Sequence, residues 1–122
     1  MATASELRLE RATGLLHVAF DDGARVALPA EYLRVESPSA EVQGHSPDQR
    51  KVVAGCRDVR ITTIEPVGNY AVRLVFDDGH DSGIFSWDYL AELGREQQPR
   101  WDRYLNELAA RGLSRDPPPG RA

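Results

Sequence analysis

Three histidines and one cysteine are the side chains of this sequence best suited to catalysis or metal binding. His80 directly follows the second of two Phe-Asp-Asp-Gly turns, where loop side chains can converge, and His45 lies in a polar stretch. Imidazole is the commonest metal ligand in proteins. His45 and His80 are therefore the candidate metal ligands, with Asp81 or Glu41 as an oxygen donor to iron or zinc; the alternative is that both are ordinary polar loop residues.

His17 and Cys56 have simpler interpretations. His17 alternates with Val18 along a predicted strand, so we expect a partly exposed surface residue. Cys56 is the single cysteine and has no partner for an intramolecular disulfide. We expect it to be a buried, unreactive thiol, and a reactive thiol site is the alternative.

Motifs typical of enzymes are missing. The sequence has no Gly-x-Ser-x-Gly elbow and no glycine-rich loop that could hold a phosphate. Non-heme iron oxygenases need an early His-x-Asp/Glu pair, but the residues two positions after the histidines are Ala19, Pro47 and Ser82. We therefore predict that the protein is not an enzyme.

Size and charge exclude further classes of function. A chain of 122 residues is large enough for one domain with a single core. The net charge of -4 disfavours binding to nucleic acid and to anionic membranes. No apolar run approaches the ~20 residues that span a bilayer, and the start lacks the apolar region of an export signal. With the lone cysteine, these features predict a cytoplasmic protein.

The elements that must position these residues follow from a repeated pattern. Phe-Asp-Asp-Gly occurs at 20–23 and again at 76–79, each time after an alternating apolar run and before a short strand and a helix. The glycine of such a turn can adopt positive φ, which favours a three-residue hairpin loop ending in a glycine bulge. Pro29 should open the first helix, while Ser86 should cap the second and Gly94 should end it.

The rest of the chain connects and extends these halves. Residues 35–51 are polar and predict a long irregular loop, and residues 57–64 alternate as a strand. Pro99 should open a last amphipathic helix that Gly112 closes, with one apolar face formed by Trp101, Tyr104, Leu105 and Leu108. Residues 1–113 are thus predicted to form one α+β domain of two related β-hairpin-plus-helix halves with a C-terminal amphipathic helix, and the proline-rich tail 114–122 to be disordered.

Several stretches together resemble the gamma-butyrobetaine hydroxylase-like N-terminal domain family, over about residues 6–95. They are LRVESPSAEV at 33–42, RDVRI at 57–61, IEPVGNYAV at 64–72, FDDGHDS at 76–82 and WDYL at 87–90. The resemblance is to small stand-alone bacterial members of unassigned function. In carnitine-pathway oxygenases this domain precedes a catalytic jelly roll, so the resemblance implies an accessory module.

The same resemblance implies a zinc site in the hydroxylases, held by three cysteines and a distant histidine. Carried over position by position, these ligands fall on Ser37, Ser39, Val42 and His80. Serine hydroxyls and a valine cannot replace thiolates near neutral pH. The implied site is expected to be lost, and no cofactor is expected; the alternative is zinc or iron held by His45 and His80.

Two functions remain open at this point. The first is a non-catalytic accessory or protein-binding module that offers the 35–51 loop and the His80 turn to a protein partner of unknown identity. The second is a metal-binding accessory protein of iron–sulfur or oxygenase metabolism. Self-association into a homodimer also stays open.

Overall fold

The structure is a computed structural model that describes residues 2–44 and 49–117. It confirms the α+β class, with two antiparallel three-stranded sheets of order β1-β2-β3 and β4-β5-β6. The elements, in chain order, are β1 (Ala4–Glu10), β2 (Leu15–Phe20), β3 (Arg25–Pro29), α1 (Ala30–Val35), α2 (Ala40–Gln43), β4 (Ile61–Val67), β5 (Ala71–Phe76), β6 (Gly83–Ser86), α3 (Trp87–Arg95) and α4 (Gln97–Ala110).

The two Phe-Asp-Asp-Gly turns have the same geometry. Gly23 and Gly79 adopt φ values of 90° and 93°, a left-handed conformation that side-chain-bearing residues rarely reach. In each turn the phenylalanine amide donates to the carbonyl four residues later, at 2.9 Å. The second aspartate, Asp22 or Asp78, accepts from the amide two residues on. Both copies are therefore bulged hairpin loops, as predicted.

Alternation along the central strands fixes the core. Every second residue of β2 and β5 is buried, and together they form one apolar cluster with residues of α1 and α3. The buried strand residues are Leu16, Val18, Phe20, Val72, Leu74 and Phe76. The alternation extended backward from Val72 would place Tyr70 on the same face, but this residue precedes β5 in the turn and is exposed.

The predicted end of α3 is wrong. Ser86 caps the helix by accepting from the Tyr89 amide, as expected, but the helix continues through Gly94 to Arg95. A Cβ at position 94 would lie 2.4 Å from Cγ1 of Val26. The glycine is thus required for close packing of the helix on β3, and it does not terminate the helix.

The fourth strand also begins later than predicted. β4 spans Ile61–Val67, whereas residues 57–60 make other contacts. The Arg57 amide donates to the Arg115 carbonyl and the Arg60 amide to Asp77 Oδ1, so neither joins the ladder in the expected way. Pro66 lies inside β4, which is tolerated because this is an edge strand.

The last helix packs as predicted in most respects. Tyr104 and Leu108 are buried against Val35, and the Tyr104 hydroxyl donates to the Val53 carbonyl at 2.6 Å. Leu105 was expected on the same face but is exposed. The helix begins at Gln97, two residues before the predicted proline, and Gly112 follows its end with a φ of 65°.

The crossover between the two halves, residues 35–51, is more ordered than the long irregular loop that was predicted. α2 forms inside it, because the Ser39 hydroxyl accepts from the Glu41 amide and caps the short helix. Several crossover side chains are buried: Val35, Glu36, Ser37, Ser39 and Val42. The prediction of a long irregular loop is therefore wrong where α2 forms, while His45 lies outside the described residues.

The C-terminal segment 114–117 lies beside residues 55–57, through two backbone hydrogen bonds of 2.9 Å that Ser114 and Arg115 carbonyls accept. Residues 118–122 lie outside the described part, so the domain boundary and the disordered tail stay predictions. Over residues 2–44 and 49–117, no helix has the length and apolar character needed to cross a membrane.

Candidate functional site

His80 is the centre of a hydrogen-bonded cluster that joins the crossover to the second hairpin turn. The residue is 4% exposed. Its Nε2 lies 2.9 Å from the Ser37 hydroxyl and its Nδ1 lies 3.0 Å from a Glu41 carboxylate oxygen. The ring also contacts Phe76, with ring centroids 5.9 Å apart. Both ring nitrogens are therefore engaged, and each engages the crossover.

Two further serines extend this cluster. The Ser39 and Ser82 hydroxyls lie 2.7 Å apart, and the Ser39 amide donates to the Ser37 hydroxyl at 3.3 Å. The Gln43 amide group donates to the Ser37 carbonyl at 2.8 Å. We call the set Ser37, Ser39, Glu41, His80 and Ser82 the crossover cluster.

Local sequence explains how these side chains meet. The second bulged turn orients His80, whose amide donates to Asp78 Oδ1 at 3.1 Å. The capping role of Ser39 sets the direction of α2 and hence of Glu41. A Cβ at Gly83 would lie 2.5 Å from Ser37 Oγ, so this position has room only for glycine.

A second polar centre surrounds Glu36, whose side chain is 1% exposed. Its carboxylate accepts from Arg50 at 3.1 Å and from Arg100 at 2.7 Å. The Tyr89 hydroxyl donates to the Glu36 carbonyl at 2.5 Å. Burial raises the pKa of Tyr89, so this donor stays protonated near neutral pH. These contacts neutralise a buried carboxylate, which otherwise would be costly.

The family model described as "Gamma-butyrobetaine hydroxylase-like, N-terminal" matches residues 7–91. The chain belongs to this family. The match ends within α3, so α4 and the C-terminal segment lie outside it. The resemblance noted from the sequence is thereby confirmed.

Three solved structures illustrate what this gamma-butyrobetaine hydroxylase-like domain is similar to. Two solution NMR structures are 47% and 44% identical, with TM-scores of 0.83 and 0.84. They cover 97% and 100% of this chain, and 93% and 91% of their own. A crystal structure of a DUF971-family protein of unknown function from Acidithiobacillus ferrooxidans is 37% identical, with a TM-score of 0.64, over 75% of this chain and 92% of that one. No curated protein matches the chain.

The zinc ligands that the resemblance implies do not fit the residues present in this gamma-butyrobetaine hydroxylase-like domain. Ser37 and His80 do meet, but through a direct hydrogen bond between hydroxyl and imidazole. Val42 is buried and supplies no donor atom. Serine hydroxyls remain protonated near neutral pH and are poor zinc ligands. A hydrogen-bonded cluster thus stands at the positions the resemblance assigns to the metal.

The alternative metal site is only partly covered by the structure. Of the oxygen donors proposed for His80, Glu41 contacts it, whereas Asp81 has its carboxylate 3.6 Å from the Arg73 guanidinium. Within residues 2–44 and 49–117, no group of three or more His, Cys, Asp or Glu side chains is arranged to hold a metal ion. His45 lies outside these ranges, so its pairing with His80 stays a prediction.

The structure links Ser37 to His80 and His80 to Glu41, the same sequence of hydrogen bonds as in the Ser-His-acid triad of hydrolases. These contacts were not predicted from the sequence. No elbow motif surrounds Ser37, and the residues are up to 43 positions apart, so no local signal could have revealed the contact. Ser37 is 0% exposed and lies under Gly83. Among the described residues, the Ser37 hydroxyl is thus enclosed.

The other two chemistry-bearing side chains lie apart from the cluster. His17 is half-buried on the sheet surface, where its Nε2 contacts Glu10 at 2.9 Å. The hydrogen bond from His17 lowers the pKa of Glu10. Cys56 is buried, and burial raises the pKa of its thiol to about 11. A thiol with this pKa is a poor nucleophile at neutral pH.

Proposed function

We propose that the protein is a non-catalytic accessory module that binds a protein partner through the surface formed by residues 37–43 and the turn 77–82. The observation that carries the proposal is the crossover cluster itself. It fixes two separate segments to each other through side-chain hydrogen bonds, while Glu41, with its side chain 66% exposed, and Asp81 stay accessible. A surface held rigid before binding loses little conformational entropy on association.

The chemistry of the exposed groups indicates the kind of partner. Asp77, Asp78 and Asp81 are exposed around the turn, and Glu41 stands beside them on α2. Arg34 contacts Asp78 and Arg73 contacts Asp81, which leaves the surface with more carboxylates than guanidinium groups. A basic segment of a partner protein would complement this surface.

Burial of Ser37 supports the non-catalytic assignment. Nucleophilic catalysis requires the attacking oxygen to contact the substrate, and this hydroxyl lies beneath the backbone of Gly83. Its hydrogen bonds to His80 and from the Ser39 amide instead tie the crossover to the turn. The cluster acts as a structural connection under this proposal.

The test compares capture of binding partners by matched surface variants. Ala40→Arg/Asp81→Arg changes two exposed positions at the proposed surface without removing a bond to His80. Ala24→Arg/Asp21→Arg makes the same changes at the first Phe-Asp-Asp-Gly turn. We expect one protein from the native cell to be retained by the wild type and by the first-turn variant, and lost by the second-turn variant. Equal retention by both variants would contradict the proposal.

Two measurements on the same samples address the remaining alternatives. Metal analysis of protein purified without additives tests metal handling: stoichiometric zinc or iron that is lost in His80→Gln and in His45→Gln would favour a metal-binding accessory protein. Sedimentation equilibrium tests whether the partner is a second copy of the chain. A dimer that the second-turn variant dissociates, and the first-turn variant does not, would identify self-association as the binding event.

A further inference from the structure

Glu31 at the start of α1 is held by an arginine from the far end of the chain. The Glu31 side chain is 7% exposed, and its two carboxylate oxygens accept from Arg115 Nε at 2.8 Å and Nη2 at 2.6 Å. This two-point geometry matches the planar guanidinium fork and cannot be reproduced by lysine. The residues are 84 positions apart, and Arg115 lies in the segment after α4.

An aromatic ring completes the surroundings of this guanidinium. Arg115 Cζ lies 5.1 Å from the centre of the Trp101 ring, within the range of a cation–π contact. Tyr32 contacts the same indole edge-on, with centroids 6.3 Å apart and an interplanar angle of 81°. The guanidinium therefore lies between a buried carboxylate and a fixed aromatic face, the two groups that proteins use to recognise arginine.

The same residues border an open cleft. It has a volume of about 300 Å³ and is lined by Pro29, Tyr32, Gln97 and Gln98 beside Glu31, Trp101 and Arg115. The proline and tyrosine offer apolar contact, and the two glutamines offer amide donors and acceptors. A peptide that supplied an arginine in place of Arg115 would have room for its neighbouring residues here.

The segment that carries Arg115 is attached to the domain by few other contacts. We call residues 113–117 the strap. Ser114 and Arg115 accept backbone hydrogen bonds from Gly55 and Arg57, and Asp116 pairs with the exposed Arg57 side chain. Exposed pairs of this kind contribute little to stability. The Leu113 amide also donates to the Leu108 carbonyl at 2.9 Å, so three backbone hydrogen bonds hold the strap, and Arg115 is its one side chain that is not exposed.

We propose that Glu31 and Trp101 form a binding site for an arginine side chain, which Arg115 fills within the chain and which an arginine-containing peptide segment of a partner protein can occupy when the strap lifts. Arg115 belongs to the same chain as the site, so its side chain is present there at an effective concentration in the millimolar range. An external arginine must therefore gain additional contacts, and the adjoining cleft supplies them. The site shares no residue with the crossover cluster. The test of the arginine site is therefore independent of the test of the surface formed by residues 37–43 and 77–82.

The first test is chemical rescue of Arg115→Ala with methylguanidinium. Because a ligand that binds the folded state stabilises it, a concentration ten times the dissociation constant should raise the Tm of the variant by about 5 °C. Methylammonium at the same concentration should not, because it lacks the fork. The wild type and Glu31→Gln/Arg115→Ala should show no such rise. Equal shifts with both cations, or in the variant without the carboxylate, would overturn the proposal.

The second test leaves Arg115 and Glu31 in place and loosens only the strap. In Arg57→Ala/Asp116→Ala, an arginine-containing tripeptide should bind about two- to fivefold more tightly than it binds the wild type, because the exposed pair holds the strap only weakly; calorimetry measures both affinities. The corresponding lysine tripeptide should show no gain. This variant decides the question even if Arg115→Ala fails to fold, because unchanged affinity for the arginine tripeptide would contradict the existence of an exchangeable site.

Discussion

Replacement of His80 by alanine should destabilise the domain strongly, because the imidazole links the crossover to the second turn. The substitution removes a buried hydrogen bond to Ser37 and a second one to the exposed Glu41 carboxylate. The first contributes about 1 kcal/mol and the second less. Loss of the buried ring against Phe76 adds roughly 1–2 kcal/mol. We expect a total of about 3 kcal/mol, or a decrease in Tm of about 12 °C.

The chain contains a matched control for this substitution. His17 also contacts a glutamate, Glu10, at 2.9 Å, but these side chains are 30% and 40% exposed, so water reaches the pair. His17→Ala should therefore lower the Tm by no more than about 3 °C, since exposed pairs of this kind contribute little. Thermal unfolding followed by circular dichroism measures both variants under one set of conditions.

A double-mutant cycle separates the hydrogen bond from the packing of the ring. Ser37→Ala, His80→Ala and the double variant should show a coupling free energy of about 1 kcal/mol. Strict additivity would mean that the contact between hydroxyl and imidazole contributes nothing. Equal effects of His17→Ala and His80→Ala would refute the reasoning from burial altogether.

Three further substitutions test the packing, the thiol and the altered zinc positions. Gly94→Ala should cost about 1–3 kcal/mol in chemical denaturation, because its Cβ would lie 2.4 Å from a β3 side chain; any gain in stability would contradict this packing. Burial raises the pKa of the Cys56 thiol to about 11, above the value near 9 of an unfolded thiol. The contribution of the protonated thiol to the free energy of unfolding is therefore complete below pH 9 and is lost as the pH rises toward 11. The free energy of unfolding of the wild type should therefore fall over that window relative to Cys56→Ser, and parallel pH profiles would refute the assignment. Ser37→Cys/Ser39→Cys/Val42→Cys should bind one zinc ion in chelator competition, at least tenfold more tightly than the same variant that also carries His80→Ala. Equal zinc affinity of the two variants would contradict the assignment of His80 as the fourth ligand.

Local patterns predicted the parts of the fold that depend on neighbouring residues. The strand alternation, the bulged Phe-Asp-Asp-Gly turns and the Ser86 cap all involve contacts within a few positions, and all were found. Gly94 shows the limit of this reasoning. Glycine after an apolar helical run usually marks a helix end, but here a contact with Val26, 68 positions earlier, decides its role.

Burial of polar residues was the main property that the sequence could not show. The polar composition of residues 35–51 predicts an irregular loop and gives no sign of burial, yet Glu36 is buried between Arg50 and Arg100. Arg100 lies 64 positions from Glu36, and the Glu31 partner Arg115 lies 84 positions away. A charged side chain is buried without a large cost only when an oppositely charged partner contacts it. Whether residues so far apart in sequence make contact depends on the whole fold.

The duplicated turn provides an internal comparison for the role of His80. The residue that follows the glycine is Ala24 in the first turn and His80 in the second, and the backbone geometry around both is the same. Ala24 is exposed and needs no partner, so the turn itself does not require an imidazole at this position. His80 instead contacts Ser37 and Glu41 of the crossover. The presence of His80 after the second turn is therefore explained by its contacts with the crossover. For this reason the second turn, and not the first, is part of the surface proposed to bind a partner.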